Sequence, residues 1–187
     1  MVILAAIGIL ATIILANVKN ARESANIARA VSIQDALKQA VLLYEADMGF
    51  YPPDVNRGWD PGFTQQNPSN PDFGTFDPPT RSYTVPGTNC GHCPSNWLTL
   101  LAQRWDGPYI SEWPRHTPWN GKYDYNYWGS GAVRFGCPVP PGVYVGIQGN
   151  YTNNNQINTT AEQKMVGKGY DGDNCVNGES QLKMKAL

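Results

Sequence analysis

Histidine is scarce in this chain of 187 residues; its first 22 residues carry no acid, and its first 50 hold few helix-breaking residues. His92 and His116 are the only two histidines, which excludes a His-rich metal motif. Neither a Gly-Lys phosphate loop nor a Gly-x-Ser-x-Gly elbow is present, which removes the common sequence signatures of nucleotide hydrolysis and serine hydrolysis. The net charge is −1, so there is no basic surplus calling for nucleic acid or anionic lipid. Charged residues make up 16%, a small share for a soluble domain. No proline, tryptophan or cysteine falls in the first 50 residues: all 15 prolines lie at or after Pro52, and the six tryptophans and four cysteines lie further on. Of 19 glycines, only Gly8 and Gly49 fall in that first part. The break near residue 49 therefore separates a continuous helix from a turn-rich compact region.

Before the break, two kinds of helix follow one another. Residues 1–16 are apolar apart from Thr12, and no acid precedes Glu23. As a helix this run is roughly 24 Å long, slightly short of the about 20 residues that a bilayer core requires. A signal peptide would end in a small-residue cleavage site; here the run passes into an amphipathic helix without a breaker. From Asn17 to Met48 the apolar positions Ile27, Ala30, Val31, Leu37, Ala40, Val41, Tyr44 and Met48 form one stripe by steps of three and four. Arg22, Glu23, Arg29, Asp35, Lys38 and Glu45 fall largely off it. A helix to residue 48 spans on the order of 70 Å, more than a domain of this size can bury. Three regions follow: an apolar anchor or assembly segment at 1–18, an amphipathic helix at 19–48, and a loop-rich head at 49–187.

Within the head, residues 54–94 read as a long polar loop ordered by local turns and forming a surface particular to this subunit. Ser95 is the expected cap of a short helix at 96–103, with Trp97, Leu98, Leu100 and Leu101 inward. Asn120-Gly121 is a hairpin signal with a strand on either side, Tyr123–Trp128 being the better one. Val133–Phe135 and Val143–Ile147 supply further strands around the prolines of 138–141. The expected class is α+β, a long helix covered by a small antiparallel sheet.

Cys90, Cys93, Cys137 and Cys175 are an even set in a Gly/Pro/Asn-rich head behind an apolar leader, which suggests an oxidising, extracytoplasmic setting. Three pairings are open; Cys90–Cys93 with Cys137–Cys175 is favoured, the second bridge tying the C-terminal loop to the sheet. For Cys90-Gly-His92-Cys93 a disulfide is favoured over zinc, which needs four ligands, and over a redox pair, which would want a βαβ context. The tail from Asp171 to Glu179 gathers side-chain oxygens of the kind hard cations prefer, at Asp171, Asp173, Asn177 and Glu179. It is not an EF-hand, because Val176 stands where that loop needs glycine; a solvated Asp/Gly turn is the plainer reading. Asn150-Tyr-Thr152 and Asn158-Thr-Thr160 match the glycosylation pattern.

Several of these stretches together resemble the type IV pilins and the major pseudopilins of type II secretion. The resemblance rests on Ile7-Gly8-Ile9-Leu10-Ala11, Ala36-Leu37, Tyr44, Tyr51-Pro52, Gly107-Pro108-Tyr109-Ile110, Pro114, Pro118-Trp119-Asn120-Gly121, Tyr123-Asp124-Tyr125 and Gly169-Tyr170-Asp171-Gly172. Aligned on Gly8, the chain starts about six residues inside the family's methylated N terminus, whose Glu sets register in the polymer. Ala16 stands where many members have proline, Thr117 where an Asp is common, and the order of Asn120-Gly121 is reversed.

What the resemblance implies is a pilin-like fold and a structural role without enzymatic activity. The chain would be the major pilin of an extracellular type IV pilus serving adhesion or motility, with a type II secretion pseudopilin as the alternative. Met1, Val2, Ile3, Leu4, Ile7, Gly8, Ile9, Leu10, Ile13 and Ile14 would pack side by side in the core of a helical homopolymer. Before assembly the same segment would hold the subunit in the inner membrane, where prepilin peptidase and the assembly machinery act. It also raises the calcium reading, with Asp171 and Asp173 first among the ligands, then Asn177 and Glu179. Outside this class stand an anchored carbohydrate-binding module, using exposed tryptophans, and an anchored thiol oxidoreductase.

Overall fold

The computed structural model describes residues 2–69, 90–150 and 153–186; in the first helix it describes the side chains of residue 12 and of residues from 14 onward. The architecture is α+β: one long helix carries a small antiparallel sheet. Helix α1 spans Val2–Met48. It ends where Gly49 takes the left-handed conformation at φ 78° and its N–H donates to the Glu45 carbonyl at 2.8 Å, the glycine stop that a Cβ would penalise. Arg104 Nη1 donates to the Met48 carbonyl at 3.3 Å and satisfies one of the open acceptors of the last turn.

The buried stripe of α1 runs Ile27, Ala30, Gln34, Leu37, Val41, Tyr44 and Met48. Gln34 is the polar member that a purely apolar pattern misses; its Nε2 donates to the Ser180 carbonyl at 2.6 Å. Above that stripe lies a sheet of strand order β1-β4-β5, built from Lys122–Trp128, Gly142–Gln148 and Ser180–Ala186, all antiparallel. Tyr123 and Tyr125 of β1 and Val143, Val145 and Ile147 of β4 belong to the same hydrophobic cluster as the α1 stripe. Tyr44 is edge-on to Phe50, Phe63 and Tyr109 at centroid distances of 6.1, 6.2 and 5.7 Å. Such pairs add about 0.5–1.5 kcal/mol each beyond the area they bury.

Strands β2 (Ala132–Arg134) and β3 (Cys137–Val139) form a separate hairpin. Its two-residue turn is Phe135-Gly136, both at positive φ (48° and 85°), as a type I′ turn demands. The expected hairpin at Asn120-Gly121 does not form. That pair makes a closed turn in which the Thr117 hydroxyl accepts from Gly121 N–H at 2.9 Å and Trp119 N–H at 3.3 Å, and β1 pairs with the distant β4 instead. Thr117 thus does by hydroxyl what a carboxylate would do at that position.

Helix α2 spans Trp97–Arg104 and begins after Asn96, one residue later than the Ser95 cap implies. Trp97 and Leu101 are buried, but Leu98 is exposed, because a helix of two turns turns only one side inward. Helix α3 (Thr159–Gly167) and strand β5 were not expected from the sequence. Asn158 caps α3, its side chain accepting from the Ala161 N–H at 3.0 Å, so the residue read as a glycosylation acceptor is a helix cap. Tyr151 and Thr152 of the other sequon lie outside the described residues.

The loop after α1 is partly described, to residue 69 and again from residue 90. Asp60, fully buried, accepts from Gly62, Phe63 and Thr64 N–H at 3.0, 2.6 and 2.9 Å, and a bridge to Ser69 closes the turn. This part is ordered by local turns as expected; the remainder of the 54–94 loop lies outside the described residues.

Candidate functional site: an exposed helix segment and an acidic loop

Two places carry the candidate chemistry. At the first, α1 leaves the head. Glu23 is the lowest described tie to it: Asn158 Nδ2 donates to Glu23 Oε1 at 2.6 Å and Trp119 Nε1 to Oε2 at 3.4 Å. Before Glu23 every residue from 14 to 22 is exposed, including Ile14 at 59%, Leu15 at 70% and Val18 at 43%. The helical turn brings these three apolar side chains to one side. Of the expected assembly residues only Ile14 can be placed; the side chains of Met1, Val2, Ile3, Leu4, Ile7, Gly8, Ile9, Leu10 and Ile13 lie outside the described residues. Among the described residues, no helix is long and apolar enough to cross a membrane.

At the second place, three elements hold the loop 169–179. Glu162, 1% exposed in the first turn of α3, accepts from the N–H groups of Asn177 at 2.6 Å and Gly178 at 2.8 Å. Glu179 accepts from Arg134 Nε at 3.1 Å and Nη2 at 2.5 Å, and from Gly149 N–H at 2.5 Å. The Cys137–Cys175 disulfide joins the loop to β3. Gly178 is required here, because a Cβ would stand 1.9 Å from the Asn154 carbonyl oxygen.

Asp171, Asp173 and Glu179 line a cavity of about 10 Å³ together with Trp128, Tyr144 and Gln181. Asp171 is 5% exposed and its Oδ2 has no hydrogen-bond partner. Burial first, then the charge and nearness of Asp173 and the charge of Glu162, hold its carboxyl well above the usual carboxylate range. A cation would relieve both causes. Asp173 accepts from the Cys175 N–H at 2.9 Å and the Asn177 amide at 3.2 Å.

Asp171, buried with an orphan oxygen, and the half-buried Asp173 beside it are carboxylates of the kind a hard cation takes. Asn177 and Glu179 do not fit as drawn from the sequence. The Asn177 oxygen accepts from its near neighbour Glu179 N–H at 2.9 Å, and Glu179 is neutralised by Arg134. The pairing of Glu179 could not be foreseen from spacing, because Arg134 comes from an element far away in the chain.

The favoured cysteine pairing is present, as Cys90–Cys93 and Cys137–Cys175. His92 stacks on Tyr127 at 3.7 Å between centroids, and its Nε2–H donates to the Pro52 carbonyl at 2.9 Å. The Cys90–Cys93 loop thereby holds the chain just past the end of α1. Comparison with protein-family models, with curated proteins and with solved structures finds no match to this chain.

Proposed function

We propose that this chain is the major structural subunit of a type IV pilus, polymerised through the N-terminal half of α1. One observation carries the reading. Among the described residues of the 47-residue helix α1, the buried positions run from Ile27 to Met48, and the stretch 14–22 presents Ile14, Leu15 and Val18 to solvent. Exposed apolar side chains on a helix that projects from the head need a partner. Identical helices side by side supply one, in an open head-to-tail array. The same segment would hold the subunit in the inner membrane before assembly. The four cysteines, all in disulfides, suit an extracellular surface. Calcium at Asp171 and Asp173 would fix the acidic loop on that surface.

The sugar-binding alternative has less support: Trp97 and Trp113 are buried and the other four tryptophans are half-buried, so none of the six is fully exposed. Electron microscopy of material sheared from cells making the intact chain tests the proposal. Long filaments whose density follows this sequence are expected in the sheared fraction. Dispersed particles that stay with the membrane would overturn it, and filaments found only inside the envelope would move the assignment to a pseudopilus.

A further inference from the structure

We propose that the Cys90-Gly-His92-Cys93 loop, once its disulfide is reduced, is a zinc site built from two thiolates and one imidazole. Among the described residues these three are the one set of Cys, His, Asp or Glu groups that brings three ligand atoms within 4.8 Å of one another. The spacing is of the right size. Tetrahedral zinc with Zn–S of about 2.3 Å and Zn–N of about 2.0–2.1 Å separates sulfur from nitrogen by roughly 3.5 Å. Cys90 Sγ lies 3.8 Å from His92 Nδ1, the nitrogen that would bind, so a shift of a few tenths of an ångström reaches that separation.

The histidine is already held as a ligand should be. Its Nε2 faces the carbonyl oxygens of Pro52 at 2.9 Å and Tyr51 at 3.3 Å, so the proton sits on Nε2 and Nδ1 keeps its lone pair. A backbone carbonyl on the far nitrogen is the usual second support of a metal-bound imidazole. The Tyr127 ring, 10° from coplanar, fixes the plane of the imidazole. Three protein ligands leave the fourth tetrahedral position to water.

The chemistry needs one co-reactant, a dithiol. A dithiol reductant gives two electrons and two protons to the Cys90–Cys93 bond and is itself oxidised to a disulfide. Zinc then displaces one proton from each thiol. Both sulfurs of this bridge belong to half-buried residues, whereas the other bridge joins half-buried Cys175 to Cys137, which is 3% exposed, so this loop offers a reductant two open ends and the other bridge one. The inference does not depend on the filament reading.

The test uses the full chain in mild detergent, treated with a phosphine reductant until mass spectrometry of alkylated samples shows Cys90 and Cys93 free and Cys137–Cys175 intact. Titration with cobalt(II), then zinc, should show one equivalent bound, a thiolate-to-cobalt charge-transfer band, and protection of Cys90 and Cys93 from alkylation by zinc. His92→Asn removes one of the three ligands and should weaken zinc binding by more than the roughly tenfold that loss of a mere supporting group costs. The Cys90→Ser/Cys93→Ser variant, which keeps the acidic loop, should lose the band altogether. The proposal is overturned if the reduced chain binds no cobalt, if the double variant shows the same band, or if the loop cannot be reduced before the head unfolds.

Discussion

At the scale of single residues, the core between α1 and the sheet holds buried polar groups that lack partners, and these decide how stability responds to change. The hydroxyls of Tyr44, Tyr123 and Tyr125 are buried without a hydrogen bond. Burial raises the pKa of each. An unpaired buried hydroxyl costs about 1–3 kcal/mol, so Tyr125→Phe is expected to keep or raise the midpoint of urea unfolding. A drop of more than about 1 kcal/mol would mean that the hydroxyl has a partner in solution. Asp124 is a sharper case. It is 2% exposed, its Oδ1 is unpartnered, and burial first, then the Asp54 charge, push its pKa well above the ordinary value. The folded chain keeps a proton that the unfolded chain releases at about pH 3.9. Its contribution is therefore fully present below that pH and is lost as pH rises towards the folded value. Asp124→Asn removes the dependence. The variant should melt above the parent at pH 7 and the gap should shrink towards pH 4; a parent that melts higher at pH 7 would show that the carboxylate is charged and paired. Nothing in the local sequence marks Asp124, which sits in the same Tyr-x-Tyr run that supports the resemblance. Its environment is made by Asp54 and Arg57, remote in the chain.

At the scale of elements, legibility follows range. The α1 stripe was readable because period and burial are local, and so was its end at Gly49. Strands β1 and β4 were readable by composition. Strand β5 was not: Ser180-Gln-Leu-Lys-Met-Lys alternates but is polar, and it becomes a strand by pairing with β4. Helix α3 had a signal in Asn158, a preferred N-cap residue, which also opens the glycosylation pattern Asn158-Thr-Thr160. The Asn-Gly hairpin failed because the better partner for β1 lies across the β2–β3 excursion, while Phe135-Gly136, an unremarkable pair in sequence, makes the tight turn. Where α1 meets the sheet, the middle strand must be thin. A Cβ on Gly146 would stand 2.3 Å from the Ser180 carbonyl oxygen and 2.4 Å from Gln34 Nε2. Both atoms belong to the bond that ties α1 to β5. Gly146→Ala should then cost about 1–3 kcal/mol, the range for forced overpacking, read from urea unfolding of the head. A midpoint unchanged within error would show that β4 and β5 can separate freely, and would weaken the account of that tie.

At the scale of the whole molecule, the described part of α1 divides into a stretch packed against the head and a stretch exposed to solvent. Described contacts between α1 and the head begin at Glu23 and continue to Met48. If the stretch before Glu23 serves assembly alone, it contributes nothing to the fold of the head. A fragment 20–187 should therefore melt within about 2 °C of the full chain, less than roughly 1 kcal/mol at this size. The fragment should also stay monomeric where the full chain requires detergent. The matching substitution acts in reverse. Leu15→Asp and Val18→Asp together place charge on the exposed apolar side without touching the head, so the melting temperature holds while filaments disappear from the sheared fraction. The two readouts separate the possibilities. A fragment that melts well below the full chain would show that the N-terminal half packs against its own head. A charged double variant that still forms filaments would place the polymer contact elsewhere on the chain. Only unchanged melting together with lost filaments leaves burial of Leu15 and Val18 against neighbouring copies as the driving contact.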